Sequence, residues 1–190
     1  MKPKPGDILL VVPLKRPLRL PKFTLTALFG LATTLSYNAA HVAIYTGKVV
    51  EQTFSNGLHA VGFEQFIEDL SQTYAQFWIY TIRPTHFKRE NKKKLLEILK
   101  NYETTSMPYH LSHALKIRFF PKAVRLLVEP LEMLRGICST FAAFVLKKSG
   151  IDIGKKSSLT FHPGTFLKNK KFKTIKKTMY SEGKAVKMKK

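Results

Sequence analysis

Cys138 is the one cysteine in a chain of 190 residues. A thiol attacks carbonyl carbon as the thiolate, a form favoured by the amide donors at a helix N-terminus and by an imidazole that takes the proton. Downstream of Cys138, Phe141, Phe144 and Val145 form an apolar stripe, Lys147 and Lys148 close the last turn, and Gly150 supplies a stop. That pattern predicts a helix opening at Cys138. A base must come from the six histidines at 41, 59, 86, 110, 113 and 162. His41 stands out because it heads an apolar strand, His41-Val42-Ala43-Ile44-Tyr45, whose packing can fix the ring.

An imidazole base works best when a third group accepts its other N–H and holds the tautomer. The next strand-like segment, Val49–Phe54, carries a polar pair, Glu51 and Gln52, after the turn residues Thr46, Gly47 and Lys48. A three-residue loop pairs Tyr45 with Val49 and Ala43 with Glu51, so that Glu51 shares the face of His41. A two-residue loop pairs Gln52 with His41 instead. Spacing alone leaves both registers open.

Other elements must position this group. Ile8–Val12, bounded by Pro5-Gly6-Asp7 and Pro13, predicts a short buried strand. Residues 24–35 are apolar and fit a short helix or a flap over a cleft, being shorter than the ~20 residues of a spanning helix. Ser55-Asn56-Gly57 marks a turn, residues 63–70 a helical turn or two, and Tyr74–Arg83 an aromatic-rich strand stopped by Pro84. Leu95, Leu96, Ile98, Leu99 and Tyr102 suit an amphipathic helix with a basic outer face. Pro108, Pro121 and Pro130 break up residues 107–133, which resist assignment. Strands thus dominate early and helices late. The length fits one domain over residues 1–167, and the Lys-rich residues 168–190 read as a mobile basic tail.

Apolar residues make up 44% of the chain, enough for a packed core, yet 33 Lys and Arg face only 12 Asp and Glu, a formal net of +21. The last 23 residues alone hold ten Lys and one Glu. Such a field draws anionic polymers, whether nucleic acid, cell-wall polymer or anionic lipid, without choosing among them. A lone cysteine excludes an internal disulfide framework, and no Cys/His cluster has zinc spacing, so neither metal nor cofactor is expected. The N-terminal apolar run is too short and too early interrupted for a signal peptide. The expected setting is therefore cytoplasmic or inside a viral particle.

Taken in order, Pro5-Gly6-Asp7-Ile8-Leu9-Leu10, His41-Val42-Ala43-Ile44-Tyr45-Thr46-Gly47, Val49-Val50-Glu51, Tyr109, and Cys138-Ser139 opening a helix that ends at Gly150-Ile151 resemble the circularly permuted branch of the NlpC superfamily. That branch includes YiiX-like cysteine hydrolases and is related to the lecithin:retinol acyltransferases. The resemblance covers about residues 3–167. It implies an α+β, permuted papain-like fold with an antiparallel sheet core packed against helices and the catalytic Cys on a late helix. By position it makes Cys138 the nucleophile, His41 the base and Glu51 the orienting acid; Gln52, supported by the two-residue register alone, is the alternative third residue. Tyr109 and Asp7 fall at substrate-binding positions, and Phe161-His162-Pro163-Gly164 resembles a turn after the catalytic helix. The chain departs from the family at Ile137, where an aromatic is common, and at Thr140, where Glu is common; residues 116–135 also form a longer lead-in to the helix.

The resemblance implies a thiol hydrolase of amidase, peptidase or esterase type, acting on wall peptides or acyl lipids through an acyl-thiol intermediate. A thiol acyltransferase would use the same residues and deliver the acyl group to a lipid or amine. A non-catalytic reading, in which the basic surface and tail act as a binding or virion-packaged structural module, would leave Cys138, His41 and Glu51 without a joint purpose.

Overall fold

A computed structural model describes residues 3–15, 39–53, 57–103, 138–154 and 161–186. In chain order these form β1 (Ile8–Lys15), β2 (His41–Tyr45), β3 (Val49–Thr53), β4 (Gly57–Val61), α1 (Phe63–Thr73), β5 (Gln76–Pro84), α2 (Arg89–Glu103), α3 (Cys138–Lys148), α4 (Pro163–Lys168), β6 (Phe172–Ser181) and β7 (Lys184–Val186). The strands make one antiparallel sheet in the order β4-β3-β2-β1-β5-β6-β7. The class is α+β. Among the described residues no helix is long and apolar enough to cross a membrane.

The unbroken apolar run of β1 is explained by burial on both faces. Ile8 and Leu10 point into a core completed by Val42, Ile44 and Val50, by Leu95 and Leu99 of α2, and by Phe141, Val145 and Leu146 of α3. Leu9 and Val11 point the other way, to Ala43, Val49, Phe77 and Ile79 under Phe66, Ile67 and Leu70 of α1. A strand covered on both sides cannot alternate with polar residues. The strand also runs on through Pro13 to Lys15, past the stop expected at Pro13. Beyond Val11, which pairs with His41, β2 no longer flanks it, and the register slips between Pro13 and Lys15. A proline is tolerated at such a bulge, where no described strand pairs on the β2 side.

The Pro5-Gly6-Asp7 turn locks the start of β1 to the end of β2. The Gly6 amide donates to the Tyr45 carbonyl at 2.7 Å, and the Tyr45 amide to the Asp7 carbonyl at 2.8 Å. Gly6 has φ +95°, and a side chain there would collide with the Phe87 ring. Asp7 is buried and accepts from Arg83 Nε at 2.6 Å, Arg83 Nη2 at 3.0 Å and the Lys4 amide at 2.8 Å. Asp7→Ala should cost about 2–4 kcal/mol, below the full value of a buried pair because Arg83 is about a quarter exposed and can turn to water. The midpoint of urea unfolding reads that loss, while the reactivity of Cys138 in the folded protein should stay at the wild-type level.

The expected mobile tail is corrected by β6 and β7. Residues 172–181 pair with β5 from Pro84 to Gln76, and the Tyr180 ring stacks on Phe77 with centroids 5.4 Å apart. Glu182 and Gly183 both have positive φ, the geometry of a tight two-residue hairpin turn into β7. The late part of the chain is therefore sheet. Its lysines mostly line a half-exposed strand, and one of them, Lys177, lies 3.9 Å over the Trp78 ring centroid.

Candidate active site

Helix α3 carries Cys138 at its first residue and is held at both ends. At the N-terminal end the buried Ser139 hydroxyl donates to the Phe161 carbonyl at 2.8 Å, tying the helix start to the segment before α4. That segment was expected as a turn; its Pro163 instead opens a short helix. At the other end Ile151 N–H reaches the Leu146 carbonyl and Gly150 N–H the Lys147 carbonyl, with Gly150 at φ +75°. This is a Schellman stop. Asn91 of α2 adds Nδ2 contacts to the Ser149 and Gly150 carbonyls at 3.0 and 3.2 Å.

His41 is the first residue of β2, and its ring shares the α1 face of the sheet, with its centroid 6.4 Å from that of Phe66. Cys138 comes from a helix on the opposite face. The two side chains meet because each opens its element at the same end of the layer, and they are within hydrogen-bonding reach. Cys138 is only 6% exposed.

The hairpin between β2 and β3 adopts the three-residue loop: Tyr45 pairs with Val49 and Ala43 with Glu51. Glu51 then lies diagonal to His41 on one face, and its Oε2 is 2.5 Å from His41 Nε2. Gln52 points to the other face and is buried there. With Nε2 donating to Glu51, Nδ1 is the nitrogen left for the thiol. Burial works against the charged His41 ring, but Cys138, by charge and hydrogen bond, and then Glu51 more than offset it and raise His41 to about 10. Burial likewise works against the Glu51 carboxylate; hydrogen bonds from His41 and His59, followed by their charges, hold it down at about 2.

These shifts fix a stability window. The Glu51 share is present above its ordinary value of ~4.5 and is lost as pH falls toward about 2. The His41 share is present below ~6.5 and is lost as pH rises through about 10. The ion pair should therefore stabilise most between ~4.5 and ~6.5. Glu51→Gln is expected to flatten the acid limb of the stability curve by on the order of 2 kcal/mol, measured as urea midpoints from pH 3 to 7.

Of the residues singled out in the sequence, Cys138, His41 and Glu51 are brought together. Asp7 is not: it lies four residues along β1 from the partner of His41, roughly 13 Å away, with its carboxylate in the Arg83 fork. Tyr109, the apolar residues 24–35 and the lead-in 116–135 lie outside the described residues. One member of the cluster was missed. His59, directly opposite Glu51 on β4, sits with Nε2 3.4 Å from Glu51 Oε1. Its strand runs from Gly57 to Val61, and the apolar-polar-apolar step Leu58-His59-Ala60 was its signal. Among the described residues no group of three His, Cys, Asp or Glu has the arrangement of a metal site. No protein-family model, curated protein or solved structure matches the chain.

Proposed function

We propose that the chain is a cysteine hydrolase with a permuted papain-like arrangement of NlpC type, in which Cys138 is the nucleophile, His41 its acid and base, and Glu51 the group that orients His41. The observation that carries this reading is the thiol–imidazole–carboxylate chain, drawn from three separate elements and largely shielded from water. An imidazole 2.5 Å from a carboxylate is held in one tautomer, which leaves its other nitrogen to serve the sulfur.

In the reaction, the Cys138 thiolate adds to a carbonyl carbon of an amide, peptide or ester. The tetrahedral oxyanion accepts a hydrogen bond from the Cys138 backbone N–H at the start of α3. The C–N or C–O bond breaks as the His41 imidazolium gives its proton to the departing amine or alcohol, leaving a thioester on Cys138. Water then attacks the thioester carbonyl, His41 takes its proton, and the acid leaves as the thiolate and imidazolium are restored. Glu51 stays ionised throughout and stabilises each imidazolium. The +21 charge favours an acidic substrate or one embedded in an anionic polymer, such as wall material or a lipid surface.

A panel of acyl-ester and peptide thiol probes, read by intact mass, tests the proposal. The wild type should gain one acyl group on Cys138 and lose it with release of the free acid, and Cys138→Ala should gain none. Transfer of the group to an added amine or lipid alcohol in preference to water would make the protein an acyltransferase. An unlabelled wild type, or equal labelling of Cys138→Ala, would remove the enzyme reading.

A further inference from the structure

The proposed triad uses one oxygen of Glu51; the other faces a second imidazole. His59 pairs with Glu51 across β3 and β4, its Nε2 lying 3.4 Å from Oε1, while its Nδ1 lies 3.1 Å from the Gly57 carbonyl. Neither an ionised carboxylate nor a backbone carbonyl has a hydrogen to give. Both ring nitrogens of His59 are satisfied together only when each carries a proton. The ring is 20% exposed, so solvent reaches it, whereas the carboxylate it touches is 5% exposed. Among the described residues the charged groups that act on His59 are Glu51 from β3 and His41 from β2. Helix α2 approaches β4 through Leu58 and Ala60 on the far face, and α1 covers the near face with Phe63 and Phe66.

We infer that His59 is a positioning residue: as an imidazolium it grips the second oxygen of Glu51, aims the carboxylate at His41 and shares its charge, so that Cys138, His41, Glu51 and His59 alternate in sign. The inference rests on the triad reading for its catalytic meaning. The hydrogen bond to Glu51 also raises His59 above the ordinary histidine value, against its partial burial. The grip has two separable effects. It stops the carboxylate from rotating away, and it draws off part of the negative charge that would otherwise make the His41 imidazolium too weak an acid for the leaving group.

Two variants part these effects. His59→Gln keeps an N–H toward Glu51 and removes the charge; His59→Leu removes both. In the full chain labelled with nitrogen-15 histidine, NMR of the wild type should show His59 with both ring nitrogens protonated at pH 7 and a midpoint above the ordinary ~6.5. Glu51→Gln should return that midpoint toward the ordinary value. In His59→Gln the His41 midpoint should rise by roughly half to one pH unit, with Cys138 alkylation by iodoacetamide within about threefold of wild type. In His59→Leu alkylation at pH 6 should fall about three- to tenfold, in line with the loss of a charge-assisted hydrogen bond. A His59 ring with one bare nitrogen at pH 7 would overturn the inference, as would His41 midpoints and alkylation rates unchanged in both variants. A wild-type Cys138 inert to iodoacetamide beside a doubly protonated His59 would instead sink the nucleophile reading and leave the grip on Glu51 standing.

Discussion

Ending the chain after Leu167 is expected to unfold it. The truncation removes β6 and β7, and with them nine cross-strand pairs to β5. At roughly 0.2–1 kcal/mol per pair the loss is roughly 2–9 kcal/mol, against a total stability of ~5–15 kcal/mol for a domain of ordinary size. The Phe77–Tyr180 stack goes with it. What remains is a β5 edge bearing Phe77, Trp78, Ile79 and Tyr80 with unpaired backbone groups, a template for aggregation. The truncated chain should appear in the insoluble fraction, or show no cooperative urea transition. A soluble product with the wild-type midpoint would show that the last 23 residues are an appendage after all.

The second large effect is expected at His41. At pH 6 an unactivated thiol, with its ordinary value of ~8.5, is well under one per cent thiolate. On the proposed reading a His41 imidazolium would give the Cys138 sulfur a charge-assisted partner in a site that excludes most water. His41→Ala should therefore slow alkylation of Cys138 by iodoacetamide at pH 6 on the order of 10- to 100-fold. The fall is smaller than the change in thiolate fraction, because a stabilised thiolate is also a weaker nucleophile. His41 is the end residue of its strand and partly exposed, so the variant should keep its fold, which the near-UV circular dichroism spectrum can check.

Cys138 and His41 were legible as members of one cluster because each is announced locally. Cys138 precedes an apolar stripe with a clear C-terminal stop, and His41 heads a strand with no polar interruption. The third group was legible only up to a choice, since a loop of two or three residues sends either Gln52 or Glu51 to the His41 face. Loop conformation settles it: the Thr46 amide donates to the Lys48 carbonyl at 2.8 Å and Gly47 takes φ +122°. His59 escaped notice because its strand is five residues long and begins on a glycine that also reads as turn. The β6–β7 hairpin escaped for a different reason. Its lysines made the segment look like a charged arm, although Phe172, Ile175, Met179, Tyr180 and the β-branched Thr174 and Thr178 have strand character, and Glu182-Gly183 has the form of a hairpin turn. Lysine on the open face of a strand costs little, so charge was the wrong guide to order there.

On the proposed reading Cys138 and His41 form a reactive ion pair supported by Glu51. The rate of Cys138 alkylation by iodoacetamide, followed from pH 4 to 9 by intact mass, tests it most directly. The wild type should stay close to its plateau rate well below pH 7, and Glu51→Gln should lower that acid-side rate about tenfold, as expected for the loss of about one pH unit of imidazolium stabilisation. A wild-type rate that rises only as pH approaches ~8.5, superimposable on that of His41→Ala, would mean an ordinary buried thiol and would contradict the account.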